Sequence, residues 1–136
     1  MKHIMETAAQ AAALFRAALP KRQKEERVFV LPLDGNGKAL SKPILVSVGH
    51  KDGTTAFDAG AVFREALKAG AEEIIVAHNH PSGDLTPSKA DIAATAELKD
   101  LAVRLGIVFI DHIILGSDES SNRYNYLSIM ESFAIK

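Results

Sequence analysis

The spacing of apolar positions changes period several times along the chain, and each change marks an element. From Thr7 to Leu19 the sequence is Ala-rich, with Leu14, Phe15 and Leu19 at helical spacing and Pro20 ending the pattern. A short amphipathic helix is predicted there, packing on the domain or on a partner. Arg27 to Leu33 is a continuous apolar run with Pro32 near its end, as in a buried strand. Asp34-Gly35-Asn36-Gly37 is a turn signal, and from Lys42 to Val48 Ile44, Val46 and Val48 alternate with other residues. These two strands are expected to pair as an antiparallel hairpin.

Ala59 to Ala69 predicts a helix, with Asp58 as its N-cap, Val62, Phe63, Ala66 and Leu67 on one face and Gly70 at its end. Glu73 to His78 reads as a buried strand centred on Ile74-Ile75-Val76, and Asn79 to Pro87 as a loop. Ser88 to Arg104 predicts a long helix with Ile92, Leu98, Leu101, Ala102 and Leu105 inward, closed by Gly106. Ile107 to Leu115 is an apolar strand interrupted by Asp111-His112. Asn125 to Ser128 reads as a short last strand, followed by a final turn. Helices lie between strands, so the expected fold is a single layered α/β (α+β) domain, a mixed sheet flanked by helices. Residues 1–22 are expected to form an N-terminal helix and linker, and residues 23–136 the domain proper.

Composition narrows the function classes. The 136 residues are 47% apolar and 24% charged, which is globular composition. There are no cysteines, so disulfides, thiolate zinc sites and cysteine nucleophiles are excluded. That fits a reducing compartment, and a cytoplasmic setting is expected. The formal net charge of −1 gives no basic excess for nucleic acid. The basic cluster Lys21, Arg22, Lys24 and Arg27 is interrupted by Glu25 and Glu26 and reads as a solvated linker. No apolar run approaches the roughly 20 residues that cross a bilayer, and the N-terminal residues carry no signal-peptide pattern.

The chemistry concentrates in Ala77-His78-Asn79-His80-Pro81-Ser82-Gly83, followed by Ser88 and Asp91. Side chains alternate along a strand, so His78 and His80 leave one face while Asn79 points away. Asp91 falls in the first turn of the next helix, where a carboxylate is favoured. Two imidazoles and one carboxylate suit zinc and leave a fourth position for water. A plainer reading stands beside this one. Ser88-x-x-Asp91 is also a helix-capping pattern, and paired histidines can simply end a strand. For Asp111-His112 the choice lies between a site-supporting role and a hydrogen-bonded pair, or two residues facing opposite ways. His3 and His50 read as surface residues, and Asn79 is expected to bond the following turn.

On these residues the chain resembles the JAMM/MPN metalloprotease superfamily and, within it, the RadC-like JAB domain, whose architecture is cytidine-deaminase-like. The pattern is an upstream Glu, His-x-His, seven residues, Ser, two residues, Asp; it falls on Glu26, His78, His80, Ser88 and Asp91. His78-Asn79-His80-Pro81-Ser82-Gly83-Asp84, Pro87-Ser88, Asp111-His112-Ile113-Ile114 and Leu31-Pro32-Leu33-Asp34 match words of the RadC-like subgroup. The resemblance implies Zn2+ held by His78, His80 and Asp91, with Glu26 as general base and Ser88 stabilising the oxyanion. It implies hydrolysis of a peptide or isopeptide bond in a peptide or protein substrate. Glu25 adjoins Glu26, and only one of two neighbouring strand residues can face the metal.

Two departures stand out. Asp58-Ala59-Gly60-Ala61 replaces the subgroup's Pro-Arg-Glu word, although Phe63-Arg64-Glu65-Ala66 is kept. Only a short Ala-rich helix stands where long members carry a helix-hairpin-helix module, which weakens any DNA-repair role. The alternatives are a nucleic-acid-processing protein and a non-catalytic zinc-binding MPN scaffold. An HNH-nuclease reading of His78-Asn79-His80 fails, because those enzymes separate the three residues along a ββα unit.

Overall fold

Helix α1, Ala8–Ala18, starts at a capping box in which Thr7 and Gln10 each accept the other's backbone N–H. The computed structural model describes residues 7–49, 57–116 and 125–133, so His3 and His50 lie outside the described residues. After α1 come β1 (Arg27–Leu33), β2 (Ile44–Val48), α2 (Ala59–Lys68) and β3 (Glu73–His80). Then follow α3 (Lys89–Leu105), β4 (Val108–Gly116), β5 (Tyr126–Ser128) and α4 (Ile129–Phe133). The strands form one mixed five-stranded sheet in the order β2-β1-β3-β4-β5. β1 pairs antiparallel with both β2 and β3, β3 parallel with β4, and β4 antiparallel with β5. The architecture is α+β and consistent with the JAB/MPN fold. Among the described residues no helix is long and apolar enough to cross a membrane.

Strand parity divides the apolar residues between two cores. Val28, Val30, Ile74 and Val76 pack beneath α2 and α3 with Val62, Phe63, Ala66, Leu98 and Ala102. Phe29, Leu31, Leu33, Ile75, Ala77, Ile113 and Leu115 face the other way and pack with Ala11, Ala12 and Phe15 of α1. Both faces of β1 and β3 are therefore buried, which explains their continuous apolar runs.

Two expected details differ, and the Asp58 cap is as expected. β3 runs on to His80, because His78 pairs with Ile114 and His80 with Gly116 across the parallel ladder. Leu67 and Leu105 are exposed, at 55% and 45%, since each sits in the last turn of a helix as it leaves the sheet. Asp58 caps α2 through Ala61 N–H, at 3.1 Å, so the departure at Asp58–Ala61 still starts a helix.

α1 is held by its aromatic contact. Phe15 is fully buried, with its ring centroid 6.4 Å from that of Phe29. Phe15→Ala is expected to cost about 3–5 kcal/mol, read as a lowered midpoint in denaturant unfolding; a change below about 1 kcal/mol would mean that α1 does not belong to the cooperative core.

Candidate metal centre

The C-terminal end of β3 and the first turn of α3 meet above the sheet, and the histidine pair sits there. β3, α3 and β4 form a parallel crossover, and the crevice beyond the strand ends of such a unit is where ligand groups gather. His78 and His80 leave the face covered by α3. Their Nε2 atoms lie 3.0 Å apart. His78 Nε2 is 3.2 Å from Asp91 Oδ1, and His80 Nε2 is 3.1 Å from Asp91 Oδ2. Four-coordinate zinc with bonds of about 2.0 Å has donor–donor edges of about 3.3 Å. These three donors approximate one face of such a tetrahedron. His78, His80 and Asp91 could therefore hold a metal ion, and the donor set fits zinc.

The turn after β3 orients the second imidazole. Gly83, at φ 85°, takes a left-handed conformation and returns its N–H to His80 O at 2.9 Å. His80 Nδ1 then donates to Asp84 O at 2.7 Å, leaving Nε2 as a lone pair aimed at the cluster. Asp91 is fixed from its own helix. Its Oδ2 accepts Ser88 N–H at 2.9 Å, while Ser88 Oγ accepts Asp91 N–H at 3.0 Å. The capping box and the metal reading thus use the same residues without conflict. The cap aligns the carboxylate and leaves Oδ1 toward His78.

Glu26 lies on the same face. Val28 pairs with His78 across β1 and β3, so Glu26, two residues earlier, shares Val28's parity and Glu25 does not. Its Oε1 is 3.8 Å from His78 Nε2. Glu26, Val28, Phe57, His78, Ser88, Asp91 and His112 line a cavity of about 210 Å³. A second cavity of about 170 Å³, bounded by Thr7, Ile75, Asp111 and Met130, lies under α1 on the other face of the sheet, apart from this cluster.

Asn79 turns out to bond the start of β1 and the segment before it rather than the turn after β3. Its Oδ1 accepts Arg27 N–H at 2.6 Å and its Nδ2 donates to Glu25 O at 3.1 Å. The reason is parity again, since Asn79 points away from the turn-bearing face and toward the end of the neighbouring strand. Asp111 and His112 point to opposite faces. Asp111 accepts from Ser128 Oγ at 2.5 Å, Met130 N–H at 3.2 Å and His112 N–H at 2.8 Å. His112 touches the cluster instead, with Nε2 2.7 Å from His78 Nδ1, a contact that residue spacing alone does not reveal.

The electrostatics follow the contacts. Burial opposes ionisation of Asp91, but the adjoining imidazoles of His78 and His80, with the Ser88 amide, hold its carboxyl well below the usual carboxylate range. Once protonated, His80 donates to Asp91, which raises it above the ordinary imidazole value against the opposing effect of burial. Burial, with the nearby His78, pushes His112 down to about 3.

Comparison with known proteins agrees with the architecture. The family model described as the RadC-like JAB domain matches residues 5–132. A UPF0758 protein of Carboxydothermus hydrogenoformans is 43% identical over 97 residues, covering 71% of this chain and 42% of that protein. A UPF0758 protein of Thermosynechococcus vestitus is 38% identical over 116 residues, covering 85% of this chain and 45% of the relative. A UPF0758 protein of Staphylococcus haemolyticus is 49% identical over 70 residues, covering 52% and 28%. The chain spans less than half the length of these curated relatives.

The depressed His112 value has a definite sign. Between about 3 and the ordinary 6.5, the unfolded chain binds a proton there that the folded chain refuses, so stability falls as pH falls. In metal-free protein, the stability advantage of wild type over His112→Asn should shrink by about 2 kcal/mol between pH 6.5 and 5. All other ionisable groups are common to the two proteins, so comparing their denaturant unfolding at each pH reads the His112 contribution. A gap that stays constant with pH would show that His112 protonates freely in the fold.

Proposed function

Because the chain belongs to the RadC-like JAB domain family, we propose that it is a zinc-dependent hydrolase acting on a peptide or isopeptide bond. The observation that carries this reading is the placement of Glu26, 3.8 Å from His78 Nε2 on the wall of the cavity that holds the His78, His80 and Asp91 cluster. Zinc held by those three residues would supply Lewis acidity and lower the pKa of a bound water to about 7.

The remaining work belongs to the chain's own side chains. Glu26 accepts a proton as water attacks the carbonyl carbon and later passes it to the leaving amine. Its 33% exposed side chain keeps it open to substrate. Ser88 borders the same cavity. Its Oγ accepts the Asp91 amide, and its hydroxyl still carries a proton to donate to the oxygen that gains charge. One such donor is typically worth about 3 kcal/mol. His78 and His80 bind metal only when neutral, so activity should decline at acid pH. The partner in this reading is a peptide or protein substrate.

The scaffold alternative is disfavoured by the complete ligand set. The nucleic-acid alternative is disfavoured by the net charge of −1. The test loads the chain with zinc, measures stoichiometry, and assays peptide and isopeptide libraries. One zinc per chain with turnover is expected. Glu26→Gln should keep the zinc while its hydrolysis rate falls roughly 10²–10⁴-fold. A zinc-replete wild type without turnover on either bond type would favour the scaffold, and salt-sensitive DNA binding would revive the nucleic-acid reading.

A further inference from the structure

Behind His78 runs a hydrogen-bonded chain whose proton positions can be worked out from one end. Thr95 Oγ1 lies 2.9 Å from the backbone oxygen of Asp91 and 2.8 Å from His112 Nδ1. A carbonyl can only accept, so the Thr95 hydroxyl proton points to Asp91 O. The hydroxyl oxygen then accepts, and His112 Nδ1 carries the proton it receives. His112 is 1% exposed, and a buried imidazole is favoured in its neutral form, with a single N–H. Its Nε2 is consequently a lone pair, 2.7 Å from His78 Nδ1. His78 must donate there, which leaves His78 Nε2 as the lone pair facing Asp91 and His80.

We propose that Thr95 and His112 form a positioning relay that sets the tautomer of His78 for metal binding and anchors it to the backbone of Asp91. Two ligands of the cluster are thereby joined by a path that does not pass through the ion. His80 stands outside the relay, its tautomer set separately by Asp84 O. The device depends on a bulge in β4. Ile74 pairs with Phe109 but Ile75 pairs with Asp111, so Ile110 is an extra residue. Phe109 packs in the core beneath α2 and α3, so strict alternation would turn Asp111 to that face and His112 toward α1. The inserted residue reverses this and delivers His112 to His78.

The inference rests on the metal reading, and the test separates the two. Zinc affinity is measured by chelator competition for wild type, Thr95→Val, Thr95→Ser and His112→Phe. The imidazole tautomers of the metal-free wild type are read by ¹⁵N NMR at pH 8. Thr95→Val and His112→Phe are expected to weaken zinc binding roughly 10–100-fold. Thr95→Ser, which keeps the hydroxyl, should stay within a few-fold of wild type. The NMR should show His112 protonated at Nδ1 and His78 at Nδ1. A plain packing role would move neither the tautomers nor the contrast between Val and Ser. A wild type that binds zinc tightly, with folded Thr95→Val and His112→Phe binding it equally well, would overturn the relay alone. A wild-type spectrum with His78 protonated at Nε2 would also overturn it, even if the variants do not fold. A wild type that binds no zinc would overturn the metal reading and this inference together.

Discussion

His78 Nε2, His80 Nε2 and the Asp91 carboxylate approach one another to 3.0–3.2 Å. Three lone-pair donors tolerate that spacing only with a cation or shared protons between them, because bringing acceptors together out of water is costly. The surroundings raise the cost of any other arrangement. His78 is 2% exposed and Asp91 9%. The His80 ring is pinned from behind by Asp84 O, and Asp91 is pinned by the Ser88 amide. None of these groups can turn away without abandoning a second hydrogen bond. The sheet, the turn after β3 and the start of α3 therefore all bear on how closely these atoms are held.

Much of this was legible in the sequence because it obeys simple periods. A period of two puts His78 and His80 on one face, and the same rule selects Glu26 over Glu25 once Val28 is paired with His78. Ser88 and Asp91, three apart before an apolar periodic run, mark a helix start whether or not a metal is involved. Two explanations that compete on paper fit one arrangement, since the cap that starts α3 also aims the carboxylate that could hold a metal.

The contacts that escaped prediction are those where a period is broken or where a side chain reaches across elements. His112 touches His78 only because Ile110 is inserted into β4, and a bulge leaves no distinctive residue pattern. Thr95 looks like an ordinary inward residue of α3, and its link to His112 depends on how α3 lies over β4. Leu67 and Leu105 fit the helical stripe but are exposed because each lies in the final turn of its helix. Amphipathic spacing assigns a face; it does not say where that face runs out of sheet to cover.

Asn79 shows how one short word serves two tasks. The paired register of β1 and β3 ends at Val28 and His78. Beyond it, the Asn79 carboxamide takes the place of the next peptide rung, accepting Arg27 N–H and donating to Glu25 O. Glu26 is the residue between those two bonds. It lies on the face shared with His78, although it stands outside the regular strand. A buried amide deprived of such partners would cost about 1–3 kcal/mol, so the clamp is difficult to release. In His78-Asn79-His80 the outer residues thus belong to the cluster while the middle one, pointing away, holds the backbone that carries Glu26. Alternation along a single strand divides the two tasks, and a residue that points away from the cluster tethers the backbone on both sides of Glu26.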